Sequence, residues 1–443
     1  MKFANQLRRN ILALSVLQII NYAVPLISVP YLVHVLQPAG FGLLSFAQAI
    51  IVFFDILTDY GFNLSGTRAV AACREDKEML SRTFWLTISA KVVLMAASAI
   101  LLGVIILLSH QREEAALLYG ATFLNVVGTA FFPVWLYQGL EEMKFTVIAQ
   151  ASARVLTIPA IFMLVHKPGD YVIAAAIQSS VLICASIFIL PATWKRIRNK
   201  PQIPSIAELV SVFRSGWHLF LTNIAGFGYS STAVIILGLV SGKAQVGYYS
   251  AAEKLIRAAS SLLGPLTQAL YPRLSALRAQ SRESAFHLMR RSFSWVSLLG
   301  LAASVVTLCV AGPIGRIVFG AGFAESTNVL RWLSPLPFLY GLSSVFGNLT
   351  LIVFEIDGSM SRIVFRCSCM NAILTGGLSM AWGAVGAAAA NVLTAIVMAT
   401  SMASTARDNE LAFWRTSRTS GVPVISIPAS FEIAQGQHNV SSP

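Results

Sequence analysis

Charge is what this sequence has least of. Of its 443 residues only 12% are Asp, Glu, Lys or Arg, where a soluble protein carries about a quarter. Acidic side chains are the scarcest, 19 against 32 Lys and Arg. Apolar residues fill the gap at 56%, and the mean hydropathy is +0.70. Cysteines are few: Cys73, Cys184, Cys309, Cys367 and Cys369. Cys367-x-Cys369 is not a metal spacing and no His cluster accompanies it, so all five are read as small apolar side chains. There is no phosphate-binding loop. The nearest approach, Gly238-Leu-Val-Ser-Gly242-Lys243-Ala244, is one residue short and lacks the Ser or Thr that would hold Mg²⁺. His-Glu-x-x-His and a nucleophile elbow are missing too. No metal, cofactor or catalytic group is called from the sequence.

What is present is hydrocarbon-length apolar runs, which make the chain an all-α integral membrane protein. About twelve runs can each cross ~30 Å of lipid. In the first half they are Ile11–Leu36, Phe41–Leu64, Phe84–Leu108, Ala115–Tyr137, Thr146–Val165 and Tyr171–Ala192. In the second they are Trp217–Val240, Gly247–Tyr271, Phe293–Phe319, Asn328–Phe354, Ile363–Met380 and Gly383–Met402. Little polar sequence separates the last two. The first run follows Lys2, Arg8 and Arg9, is too long for a signal peptide core, and ends at no small-residue cleavage site.

The net charge of +13 would suit a nucleic-acid binder, but its placement points to topology. With the N-terminus in the cytoplasm, 23 of the 32 Lys and Arg fall on the cytoplasmic side and 3 in the outer loops. That bias places both termini of a multi-pass membrane protein in the cytoplasm, with the basic side against anionic lipid headgroups. Four basic residues fall inside the spans, Lys91, Arg154, Lys254 and Arg257, and two flank the fifth outer loop, Arg316 and Arg331.

The chain also repeats itself. Displaced by 205 residues, Gly42-Leu-Leu-Ser45-Phe-Ala47-Gln48 falls on Gly247-Tyr-Tyr-Ser250-Ala-Ala252-Glu253, Arg9 on Arg214, and Gln18 on Asn223. Six spans per repeat is an even number, so the two copies are parallel, and such transporters place the substrate path between the halves. The expected division is a six-helix lobe over 1–200, a second over 201–404 and a cytoplasmic tail over 405–443. The basic, Pro-containing Lys195–Pro204 is the joint, and the stretch from Arg407 reads as flexible.

Ionisable residues within spans are costly and usually face the bundle interior. Gln48, Val52, Asp55 and Asp59 share a face of the second helix, Lys91 lies in the third, Arg154 well inside the fifth, and Glu253, Lys254 and Arg257 in the eighth. Arg154, Arg257, Lys91 and Lys254 are the candidate substrate-binding cations, and Asp55, Glu253 and Asp59 the candidate carriers of a coupling ion. Plainer roles stand beside these. Asp55 could pair with Lys91 or Arg154, Lys91 could snorkel to the interface, Asp59 could be interfacial, and Glu253–Arg257 could be a self-satisfied i,i+4 pair. Gln18, Asn21, Pro25 and Ser28 share a face of the first helix, either lining a cavity or bonding between helices. Gly383, Ala387 and Asn391 form a small-residue packing seam.

Four blocks carry a resemblance. They are Leu36-Gln-Pro-Ala-Gly-Phe-Gly-Leu-Leu-Ser-Phe-Ala-Gln-Ala49, Asp59-Tyr-Gly-Phe-Asn-Leu-Ser-Gly-Thr-Arg68, Pro133-Val-Trp-Leu-Tyr-Gln-Gly-Leu-Glu141 and Val246-Gly-Tyr-Tyr-Ser-Ala-Ala-Glu-Lys-Leu255. In this order they resemble the O-antigen and exopolysaccharide flippases (Wzx type) of the multidrug/oligosaccharidyl-lipid/polysaccharide exporter superfamily. The resemblance implies two six-helix lobes in a V around a cationic cavity. It also implies an undecaprenyl-diphosphate-linked oligosaccharide as substrate, with the polysaccharide polymerase and chain-length regulator as partners. Three other readings compete. A cation-coupled multidrug antiporter of the same architecture would want a net acidic cavity. A lipid II flippase usually carries extra C-terminal helices. A membrane glycan polymerase or ligase would need outer loops longer than the ten or so residues available.

Overall fold

The structure is a computed structural model that describes residues 2–108, 112–197, 204–261 and 263–414. Among these the only regular elements are helices. The first half comprises α1 (Lys2–Asp59), α2 (Phe62–Ala72), α3 (Lys77–Leu108), α4 (Arg112–Phe131), α5 (Val134–Gly139), α6 (Lys144–Leu164), α7 (Tyr171–Ser179) and α8 (Val181–Arg196). The second comprises α9 (Ile206–Ser230), α10 (Thr232–Val240), α11 (Lys243–Ser261), α12 (Gly264–Gln280), α13 (Arg282–Ile314), α14 (Ala324–Leu333), α15 (Leu336–Phe346) and α16 (Asp357–Asp408). Eight helical runs among the described residues are long and apolar enough to cross a membrane.

Two of those runs are too long for one crossing. At ~1.5 Å per residue, the 57 and 52 residues of Val16–Ala72 and Asp357–Asp408 exceed twice a ~30 Å hydrocarbon layer. Each contains a break. In α1 it is Gln37 (φ 60°, ψ 171°), just before Pro38. In α16 it is Gly383 (φ 54°, ψ −130°), a left-handed position that glycine adopts at little cost. The small-residue seam expected from Gly383 therefore begins at a reversal of the chain. Further along it, the Asn391 side-chain amide donates to Tyr249 Oη at 3.0 Å and joins α16 to α11.

The second arm of α1 stops at Asp59, five residues short of the expected Leu64. Tyr60 (φ 48°) and Gly61 (φ 86°) turn the chain there, and α2 restarts it. The expected flexible tail from Arg407 is also corrected. α16 continues to Asp408, and Phe413 is fully buried against Phe293 and Phe346. Arg282 Nη2 donates to the Glu410 carbonyl at 2.6 Å, and Arg290 Nε to that of Phe413. Residues 415–443, the rest of that expected tail, and 198–203 of the expected joint lie outside the described residues, as do the side chains of Arg9 and Asn223.

Successive turns alternate between two ends of the bundle. At one end Tyr31 Oη donates to the Val165 carbonyl (2.7 Å), Ser241 Oγ to that of Ser379 (2.7 Å), and the Ala384 N–H to Gln245 Oε1 (2.7 Å). The other end carries ion pairs: Arg74 with Glu141 at 3.5 Å, Arg278 with Glu355 at 3.0 Å, and Arg196 with Glu142. There Arg82 of α3 also meets Glu208 of α9, one of the ties between the two halves. The Arg82 guanidinium, helped by the Ser205 amide and hydroxyl, pulls the Glu208 carboxyl down to about 2. A depressed carboxylate contributes its stability above its ordinary value of 4.5 and loses it as pH falls from there toward 2.

The halves meet most closely at the end without these pairs. A Cβ on Gly42 would lie 1.8 Å from the Lys243 carbonyl oxygen, and one on Gly247 would lie 2.1 Å from that of Pro38. Both contacts obey the 205-residue offset, since Pro38 maps to Lys243 and Gly42 to Gly247. The backbone of each repeat thus lies against the glycine of the other, in a pseudo-twofold crossing of α1 and α11. Ser45 and Ser250, also related by the offset, are buried beside it, and small side chains are what lets helices in lipid approach this far.

Gly42→Ala and Gly247→Ala should each lower stability by at least about 1–3 kcal/mol, the usual cost of overpacking, read as thermal unfolding of the purified protein. Gly120→Ala, whose added Cβ meets nothing within 4 Å, should be neutral or slightly stabilising. Equal losses at all three positions would contradict the seam.

Candidate functional site

A cavity of about 500 Å³ lies further down α1 and α11 from the glycine crossing. Helical periodicity decides what it sees. Gln48, Ile51, Val52 and Asp55 project from the second arm of α1, and Gln150, Arg154, Thr157 and Ile161 from α6, both at the 3–4-residue spacing of one helix face. Asn21, Tyr22, Pro25 and Ser28 enter from the first arm of α1, Thr122 and Asn125 from α4, and Gln178 from α7. The second half contributes Lys254, Arg257 and Ala258 from α11. Lys254 lies seven residues beyond Gly247, about 10 Å along the axis.

Of the seven candidate residues, the structure brings four to this cavity: Arg154, Lys254, Arg257 and Asp55. Arg154 is the least compensated. Its Nε is buried and has no hydrogen-bond partner among the described residues. Arg257 donates to Glu253 through Nε and Nη2, both to the one oxygen Oε1, at 3.0 and 2.7 Å. It still leaves half its side-chain surface open, while Glu253, only 13% exposed, does not line the cavity. Lys254 Nζ sits 4.8 Å from the ring centroid of Phe41, a cation–π contact from one half to the other.

Asp55 pairs with neither Lys91 nor Arg154. Its carboxylate accepts from Asn125 Nδ2 at 2.6 Å and Thr129 Oγ1 at 3.2 Å, two residues one turn apart on α4. Lys91 and Asp59 close on each other instead. Lys91 Nζ donates to Asp59 Oδ1 at 2.9 Å and to the Thr129 carbonyl at 3.3 Å. With Lys91 only 1% exposed and Asp59 14%, the pair is spent on structure and neither side chain lines the cavity. The physical reason is the early end of α1, which leaves Asp59 at a helix terminus facing α3. Snorkelling of Lys91 and an interfacial Asp59 are thereby replaced by one buried ion pair.

Sequence reasoning passed over Tyr22, Asn125, Gln150 and Gln178, all on the cavity. A signal was present in the i,i+4 spacing of Gln150 and Arg154. Uncharged amides in a span read equally well as glue between helices.

Comparison with known proteins fits this geometry. Residues 7–278 match the family described as polysaccharide biosynthesis protein. The chain belongs to that family. It is 33% identical over 405 residues to a protein of Escherichia coli (strain K12) named "Putative O-antigen transporter", covering 91% of this chain and 98% of that one. It is 22% identical over 394 residues to a Haloferax volcanii protein named "Probable low-salt glycan biosynthesis flippase Agl15", covering 88% of this chain and 81% of that one. Two solved structures share the fold. One is the lipid II flippase MurJ in an inward closed conformation (TM-score 0.64, 13% identity, 89% of this chain and 87% of that one). The other is an inward-facing MATE multidrug resistance transporter of the MOP superfamily (TM-score 0.66, 14% identity, 89% and 99%). The all-α membrane transporter architecture expected from the sequence is the one found.

Lys91→Met should strand the Asp59 carboxylate and lower stability by about 3–5 kcal/mol, seen as reduced abundance in membranes. Lys91→Met with Asp59→Asn should recover most of that abundance. A double variant no better than the single would contradict the structural pairing.

Proposed function

We propose that this protein is a flippase for a lipid-linked oligosaccharide. The glycan, joined through a diphosphate to undecaprenol, would pass from the cytoplasmic to the periplasmic leaflet of the inner membrane by alternating access. The observation that carries this reading is Arg154, a half-buried side chain whose buried Nε has no protein acceptor among the described residues, sharing one cavity with Lys254 and Arg257 of the other half. The three cations stand against two carboxylates, Asp55 on the wall and Glu253 paired to Arg257, and the positive charge left over makes that cavity a site for an anion. Guanidinium groups take phosphate oxygens two at a time, so a diphosphate is matched in charge and in geometry. The names of two relatives, an O-antigen transporter and a glycan biosynthesis flippase, support a glycan as the cargo.

In this reading 1–200 and 201–404 are the two rocking lobes and 405–443 follows as a cytoplasmic tail. Both termini are cytoplasmic, because the end rich in arginine ion pairs is the inner end. The glycine crossing is then the outer closure, with the cavity on its cytoplasmic side. Lipid-linked cargo gains ~2.3 kcal/mol per negative charge per 100 mV on moving outward, so no nucleotide site is required. Asp55 is the candidate for a coupling ion, as Glu253 and Asp59 are each engaged by a cation. The polymerase and chain-length regulator are the expected partners at the outer face. A cation-exporting drug antiporter of this fold would want a cavity of the opposite sign.

Arg154→Ala should abolish export with protein still in the membrane in normal amount, and Arg257→Gln with Glu253→Gln, which strands no carboxylate, should abolish it too. Arg154→Lys should restore part of it, since charge returns without the bidentate fork. If the double change Glu253→Gln with Arg257→Gln exported fully, Arg257 would be a structural partner of Glu253 and no substrate ligand. Export is read as lipid-linked repeat units reaching the outer leaflet in a strain lacking the native protein.

A further inference from the structure

The cavity has a second chemistry beside its cations. Gln48 Nε2 donates to Gln178 Oε1 at 2.9 Å, linking α1 to α7. Among the described residues neither amide makes another side-chain bond, so the pair keeps one carbonyl oxygen and one NH₂ for the cavity it lines. Exchanging oxygen and nitrogen on both leaves the same surplus. Gln150 lines the cavity one turn from Arg154 on α6, with its side-chain amide unbonded among the described residues. On the first arm of α1, Asn21 Oδ1 is buried and has no partner among the described residues. One turn on, Pro25 has no N–H to offer the Asn21 backbone carbonyl. The wall therefore presents amide donors and acceptors in excess, and the buried Asn21 Oδ1 costs free energy until a partner satisfies it.

We propose that Asn21, Gln48, Gln150 and Gln178 form a glycan-reading subsite, in which side-chain amides bond the hydroxyl and acetamido groups of the sugar attached to the diphosphate. The placement relative to Arg154 selects that sugar. Four residues of α6 separate Gln150 from Arg154, about 6 Å along the helix, so a diphosphate on Arg154 brings its attached ring, and not a distal one, against the amides. Amides suit this task because each offers a donor pair and an acceptor in one plane, the pattern that adjacent sugar hydroxyls present. A site built to bond polar groups rejects a ligand lacking them more strongly than an apolar pocket rejects an extra group. Anchoring and selection are thus assigned to different residues: the cations hold any polyprenyl diphosphate and the amides choose among glycans. The inference rests on the proposed function above and adds which residues discriminate.

Two probes test it on the purified full-length protein: undecaprenyl diphosphate, and undecaprenyl diphosphate bearing one N-acetylglucosamine. The wild type should bind the glycosylated probe roughly 10-fold or more tightly than the bare one, the worth of about two net hydrogen bonds. Gln48→Leu with Gln178→Leu should erase that preference and leave the affinity for bare undecaprenyl diphosphate within about 2-fold. Gln150→Leu removes no protein hydrogen bond and should reduce the preference without loss of fold, so the test survives if the double variant is unstable. Equal wild-type affinity for the two probes would overturn the subsite. So would variants that weaken both probes alike, which is what a merely structural role predicts. Failure of the functional reading looks different, as Arg154→Ala would then leave binding of the bare probe unchanged.

Discussion

A guanidinium held inside a membrane bundle must find an acceptor or face water, because an unsolvated charge there costs several kcal/mol. Arg257 meets that constraint within its own helix through Glu253. Lys91 meets it by disappearing into a pair with Asp59. Arg154 meets it with no protein group among the described residues, and the cavity exists around it. On the proposed reading, the anion that completes this cation is the diphosphate of the cargo.

The backbone crossing at Gly42 and Gly247 sets where this can happen. It clamps α1 to α11 at one end, while Arg82–Glu208 and the stacking of Tyr60 on Phe220 tie the halves at the other. Between these ends the helices carry Gln48 and Asp55 on one side and Lys254 and Arg257 on the other. The same 205-residue offset that produces the crossing places Gln48 against Glu253 in the repeat. Of these two offset-related polar positions, one faces the cavity as an amide and the other is the partner of an arginine.

The helices were legible because hydrocarbon forces backbone groups to satisfy themselves, and apolar runs of span length leave few alternatives. The cavity was half legible. Arg154, Lys254, Arg257 and Asp55 stood out as charges in spans, but Lys91 and Asp59 stood out equally and belong to structure. Nothing local separates the two groups: Asp59 differs from Asp55 by the Tyr60–Gly61 turn beyond it, and four residues decide which helix each carboxylate meets. Gln150 and Gln178 were only faintly legible, since an uncharged amide in a span reads equally well as glue between helices. The start of the tail was misread because Phe413, in a short apolar stretch far below span length, docks by long-range contacts with Phe293 and Phe346 that no local pattern announces.

The central claim is that the uncompensated cavity cation carries a diphosphate-linked glycan across the membrane. The direct measurement reconstitutes the purified protein in liposomes loaded with undecaprenyl-diphosphate-linked oligosaccharide and follows how much glycan becomes accessible to an external glycosidase. The account predicts accessibility beyond the half exposed at the start, at a rate that falls by at least an order of magnitude with Arg154→Ala, roughly the ~1.5–3 kcal/mol of a hydrogen bond to a charged group. No glycan movement above protein-free liposomes, or movement indifferent to Arg154, would contradict it.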